Sequence, residues 1–243
     1  MAETGTLGGF RHRVGVAWHQ AFTVQPLPPH WLVLASGVLA LAVVCSPRIW
    51  PAARTAITIA HEGGHALAAL ATGRRLSGVR LYRSTAGETA SAGRAAGAGI
   101  VLTASAGYLA PPLLGLGAAA LLATAHVTGM LLLALLFLAG LAVAVRNAYG
   151  MVAVLAAVVV VAGVCLYGSA EVQAGFGYAA AWFLLLGGVR PVIELAGERR
   201  RGGRRSDADQ LARLTPVPGA AWVMIFGLVA VAALAVSARW LIR

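Results

Sequence analysis

His61-Glu62-Gly63-Gly64-His65 is the stretch of this 243-residue chain whose residue types and spacing could do chemistry unaided. On a helix, HExxH sets two imidazoles at i and i+4 on one face, about 6 Å apart at Cβ. That suits two ligands of one tetrahedral zinc, and it leaves the intervening glutamate beside the metal. His61 and His65 are therefore the candidate zinc ligands. Glu62 is the candidate catalytic residue, a general base toward water and then a proton donor to a leaving amine. The competing reading is two satisfied interior histidines beside a carboxylate paired with Arg54 or Arg74. Six His and six Glu in such a chain would fall into this pattern by chance only about 0.004 times.

A catalytic zinc takes a third protein ligand and keeps a fourth position open. The chain has only eight acids to supply it: Glu3, Glu62, Glu88, Glu171, Glu194, Glu198, Asp207 and Asp209. Glu3 lies in a terminal tail, Glu171 on the expected outer side, and Glu194 and Glu198 beside Arg190 and Arg199 as interfacial charges. Glu88 sits in a polar loop and reads better as a candidate substrate contact than as a ligand. Ser206-Asp207-Ala208-Asp209 remains, with Ser206 able to cap a short helix over 207–214 that Pro216 and Pro218 end. Composition does not choose between Asp207 and Asp209. Asn147, the sole Asn, is a second candidate substrate contact through its amide, against the alternative of a loop cap beside Gly150. Gly63 and Gly64 each cost about 1 kcal/mol in a helix interior relative to Ala, which close packing or substrate approach near a metal would offset. Gly93, Gly97 and Gly107 read as packing residues.

The elements that must position these residues are membrane helices. The chain is 59% hydrophobic and 11% charged, the composition of an all-α polytopic membrane protein. At about 17–25 apolar residues per crossing, about seven transmembrane helices are expected, near 31–46, 54–72, 96–122, 127–145, 150–168, 176–196 and 220–240. Pro111-Pro112 should kink or break the third. The loop over 76–91 reads as a short cytoplasmic β-hairpin, whose open edge could take an extended peptide as a further strand. Ionisable residues inside such a bundle are costly and usually functional.

The Lys and Arg positions are all arginines, most of them in loops between apolar spans, which positive-inside topology explains better than nucleic-acid binding. Their alternation predicts a cytoplasmic N-terminus and an outside C-terminus. It divides the chain into a cytoplasmic segment, 1–30, and a membrane-embedded metalloprotease domain, 31–243. The first 30 residues lack the apolar run of a cleavable signal peptide. Cys45 and Cys165 are isolated in apolar sequence and read as inert. One demand follows for Asp207. His65 lies nine residues before Arg74, hence about 14 Å from the loop end of a helix normal to the membrane, so 206–215 must fold back toward it.

The HExGH helix, Ser105-Ala106-Gly107-Tyr108-Leu109, Ser206-Asp207-Ala208, Leu214-Thr215-Pro216-x-Pro218 and Trp222 together resemble the site-2 protease family of intramembrane zinc metalloproteases. The nearest resemblance, over about 55–225, is to its peptidase branch lacking the Asn-Pro-Asp-Gly signature. The resemblance implies that Asp207 is the third zinc ligand, with Asp209 second. Pro111-Pro112 departs from the small residues usual there. The expectation is a zinc-dependent endopeptidase cleaving membrane-spanning or membrane-proximal protein substrates near the cytoplasmic face of a bacterial plasma membrane, with the lipid bilayer as its surroundings and any regulatory partner unidentified. The alternatives are a catalytically silent metal-binding scaffold and an ion transporter; transport fits worse, because the polar chemistry concentrates on one span and one loop.

Overall fold

The structure is a computed structural model that describes residues 3–84 and 86–242, with side chains from residue 8 onward. Thr85 of the expected hairpin, the Glu3 side chain and Arg243 lie outside the described residues. Among the described residues the chain forms nine helices and one two-stranded sheet. The helices are α1 (Glu3–Ala21), α2 (His30–Cys45), α3 (Trp50–Ala71), α4 (Ala98–Ala123), α5 (Val127–Ala144), α6 (Ala148–Tyr167), α7 (Ala170–Arg200), α8 (Asp207–Leu214) and α9 (Gly219–Leu241).

Each expected apolar segment is a helix, but not each is a separate crossing. Five helices, α4, α5, α6, α7 and α9, are individually long and apolar enough to span a bilayer. α2 and α3 meet that test only together and are bent by 104° across a short break, the shape of a broken span or a re-entrant loop. Pro47 interrupts the chain there, and Pro51 starts α3 in its first turn, where a missing N–H costs nothing. Pro111 and Pro112 do not split α4: the helix runs on through both, and both are buried. A Cβ on Gly188 of α7 would collide with Pro112, so the small residue on α7 makes room for the proline ring.

α2 runs alongside α7 in the same direction: Gly175 faces Leu32, Gly37 faces Trp182, and Arg190 donates to the carbonyl of Val44. α4 runs against α7, with Gly115 on Leu185 and Gly177 on Leu122. The start of α4 is therefore at one end of the bundle and the α4–α5 turn at the other. α1 packs at the turn end. Gln25 N–H donates to Ala125 O at 2.9 Å, and Arg13 reaches Leu166 O. α1 thus sits at the end away from α8, and α9, which starts against Arg199 and runs against α7 with Gly227 on Val192, finishes there too. The N-terminal helix and the end of α3 that leads into the hairpin therefore lie at opposite ends of the bundle.

The hairpin is present as β1 (Arg75–Leu81) and β2 (Gly87–Ala92), antiparallel, with Val79 opposite Thr89, Arg80 opposite Glu88 and Leu81 opposite Gly87. Alternation decides its faces: Val79 and Leu81 are fully buried while Arg80 between them is exposed. The outer edge of β1 is already covered. Val145 bridges Val79 in parallel, Arg146 N–H donates to Val79 O at 2.8 Å, and Asn147 holds Leu81 from both sides of its amide, at 3.1 and 2.6 Å. Asn147, expected as a candidate substrate contact, thus has its amide engaged by the end of β1.

Candidate metal centre

α3 carries His61, Glu62 and His65 into the space between α4, α8 and β2. The steep bend answers the depth problem: α3 crosses the bundle obliquely, so nine residues of helix are not nine residues of depth. Gly63 and Gly64 let it approach. A Cβ on Gly63 would run into the Phe137 ring of α5, and one on Gly64 into Ala106 and Ala110 of α4. Packing accounts for the cost of both glycines.

Asp207 is the first residue of α8, whose apolar face is buried in a small core. Ala208 and Leu211 are fully buried there, with Ala104, Val192, Leu195 and Phe226 from α4, α7 and α9. This seating brings Asp207 Oδ2 to 3.2 Å from His61 Nε2 and 3.4 Å from His65 Nε2, while the two Nε2 atoms are 3.1 Å apart. Among the described residues, this is the group of His, Cys, Asp and Glu side chains able to hold a metal ion.

Two observations show that the residues fit zinc. Bonds of about 2.0–2.1 Å to a tetrahedral zinc place its ligand atoms about 3.3–3.4 Å apart, and the three edges here lie within a few tenths of an ångström of that. Opposite the triangle is Gly107 of α4. A Cβ there would stand under 3.0 Å from both Nε2 atoms, so only the missing side chain leaves the cradle open. His65 is also held in the tautomer that ligation requires. Its Nδ1–H donates to Thr103 O at 2.6 Å, which leaves the Nε2 lone pair facing the triangle.

Glu62 is buried, and its carboxylate pairs with neither Arg54 nor Arg74. Arg54 bridges to Glu194 at 3.2 Å, and Arg74 donates to Arg94 O and Ser91. Glu62 Oε2 instead accepts from the Thr89 hydroxyl of β2 at 2.6 Å. Gly87 packs directly on the same carboxylate, where a Cβ would collide. A cavity of roughly 420 Å³ opens here, lined by Glu62, His65, Asp207, the β2 residues from Gly87 to Ser91, and Thr103 of α4. Glu88 is exposed at its rim, within 3.5 Å of the Tyr82 hydroxyl.

Asp209, the second-choice ligand, faces the other way. Its Oδ2 accepts from Ser206 N–H at 3.1 Å and Ser206 Oγ at 2.6 Å, and its Oδ1 accepts from Arg199. Burial would raise its carboxyl, but Ser206 and Arg199 hold it below the usual carboxylate range. Thr89, Gly87 and Thr103 were not singled out by sequence reasoning, and Gly107 was read only as packing. A backbone carbonyl and a missing Cβ leave no local signal. The single hint was the polar strand Gly87–Ala92 following the motif.

Membrane-length helices enclosing an HExxH helix, with a third carboxylate from a distant segment, define a multi-pass membrane protein with a candidate hydrolytic metal centre. The family model described as Peptidase M50B-like matches residues 34–237. The chain belongs to that family, the site-2 protease family of membrane-embedded metallopeptidases. No curated protein and no solved structure matches it.

Proposed function

We propose that this chain is an intramembrane zinc endopeptidase that hydrolyses peptide bonds of membrane-spanning or membrane-proximal protein segments near the cytoplasmic face. The observation that carries the reading is the ligand triangle, with edges of 3.1, 3.2 and 3.4 Å, two of whose corners, His65 and Asp207, line one cavity with the buried Glu62. His61, His65 and Asp207 would hold the zinc, which when bound supplies a Lewis acid for carbonyl polarisation and water activation. Glu62 takes the proton of the attacking water and passes it to the departing amine. Thr89 aims the carboxylate at that water by occupying its other oxygen.

The substrate enters as an extended strand. A helical peptide bond is already hydrogen-bonded and screened, whereas β2 borders the cavity and offers a strand edge; the outer edge of β1 is taken by 145–147. Asn147 serves this arrangement by fixing β1. Glu88 at the rim suits the basic residues that flank membrane spans. Among the described residues, the buried acidic, basic and His side chains, Glu62, His65, Arg74 and Asp209, gather at the site end rather than along a path across the bundle, which speaks against transport.

Charge supports the orientation. Arg74, Arg75, Arg80, Arg83, Arg94, Arg146 and the run from Arg199 to Arg205 belong to the site end, against Arg11, Arg13 and Arg239 at the other. The site end is then cytoplasmic and both termini lie outside. The test measures zinc content and cleavage of a co-expressed single-span reporter protein. Glu62→Gln should keep zinc and lose cleavage, and Asp207→Asn should lose zinc. Undiminished cleavage by Glu62→Gln would refute the mechanism.

A further inference from the structure

We propose that Arg199 and Asp209, acting with Ser206, are positioning residues whose job is to aim the Asp207 carboxylate at the histidine pair. The inference rests on the reading of Asp207 as a metal ligand. α8 has eight residues, far below the about 12–15 at which an isolated helix becomes even marginally stable, so its orientation must come from outside it. It follows a Gly- and Arg-containing segment, 201–205, that is exposed throughout. That segment cannot direct the first residue of the helix.

A single guanidinium does. Arg199, in the last turn of α7, donates to Asp209 Oδ1, and the two side chains are only 11% and 9% exposed. It also packs on Gly219, the first residue of α9, where any Cβ would collide with it. The other oxygen of Asp209 closes the capping box on Ser206, immediately before Asp207. Two residues of helix are about 200° of rotation, so Asp209 and Asp207 leave α8 on opposite sides. The ion pair grips the back of the helix, and the ligand faces forward. A buried ion pair is weak evidence for stability, since apolar replacements are often neutral or better, but it specifies direction in a way that apolar contact does not.

That difference makes the test. Zinc affinity would be measured by chelator competition in detergent, alongside the Tm of the metal-free protein, for Asp209→Asn, Arg199→Lys and the double variant Arg199→Met/Asp209→Leu. Asp209→Asn should lower zinc affinity by about 10- to 100-fold, the range typical for residues that orient a ligand, while Arg199→Lys keeps most of it. The double variant should recover the metal-free Tm without recovering zinc affinity. Wild-type zinc affinity in the double variant or in Asp209→Asn would overturn the proposal, because the pair would then be merely structural. Asp207→Asn separates the two levels. Loss of zinc there with intact binding in the clamp variants sinks this inference alone, whereas wild-type zinc binding in Asp207→Asn removes the ligand assignment and the inference with it.

Discussion

Gly107→Ala is a substitution whose two effects have opposite signs. Position 107 is interior to α4, where Ala is favoured over Gly by about 1 kcal/mol. On propensity alone the variant is the more stable protein. The new methyl, however, would stand under 3.0 Å from the Nε2 atoms of both His61 and His65. Without metal, those atoms are the far ends of side chains, and His61 at least can swing aside. With metal, the rings are locked by the triangle, and His65 is locked further by its 2.6 Å bond to Thr103 O. The overpacking, about 1–3 kcal/mol, therefore falls more heavily on the metal-loaded state, because only without metal can His61 give way. Zinc affinity should drop about 5- to 150-fold, while the metal-free Tm changes less than the metal-loaded one. Chelator competition gives the affinity, and thermal unfolding with and without zinc gives the stabilisation that binding adds, which should shrink. A Gly107→Ala protein that binds zinc as tightly as wild type would show that the metal does not occupy the space between these nitrogens.

Other expectations follow from neighbouring contacts. Thr89→Val removes the hydroxyl that holds Glu62; hydrogen bonds to charged groups are worth about 1.5–3 kcal/mol, so kcat should fall about 10- to 100-fold with KM nearly unchanged, Thr89→Ser should restore it, and equal loss in both variants would refute the positioning role. Leu211→Ala empties part of the core under α8; unfolding measurements should show a loss of about 2–5 kcal/mol, accompanied by weaker zinc binding because Asp207 loses its seat, and unchanged zinc affinity would count against that coupling. Single-cysteine labelling from either side of the membrane should find residues near both termini reactive from one side and position 84 in the hairpin turn from the other; labelling of the N-terminal helix and the hairpin from the same side would overturn the proposed orientation.

Much of this was written locally. The pairing of His61 with His65 is an i, i+4 relation, and a helix turns the same way whatever surrounds it, so the motif, its chemistry and the helical character of every apolar segment were legible in the residues alone. So were the hairpin, from its alternation and turn composition, and the capped helix over 207–214. The short supply of acids narrowed the third ligand to two aspartates. What tertiary structure decided is everything that depends on contacts between residues far apart in sequence. Asp207 rather than Asp209 faces the histidines because Arg199 and the core under Leu211 set the rotation of α8. α2 and α3 are turned by 104° from one another, a bend that no hydropathy window registers. Gly107 clears the metal's space, and Thr89 holds Glu62 from 27 residues away. Spacing along one helix is dictated by backbone geometry, whereas the approach of one element to another is dictated by packing, and packing is a property of the assembled bundle.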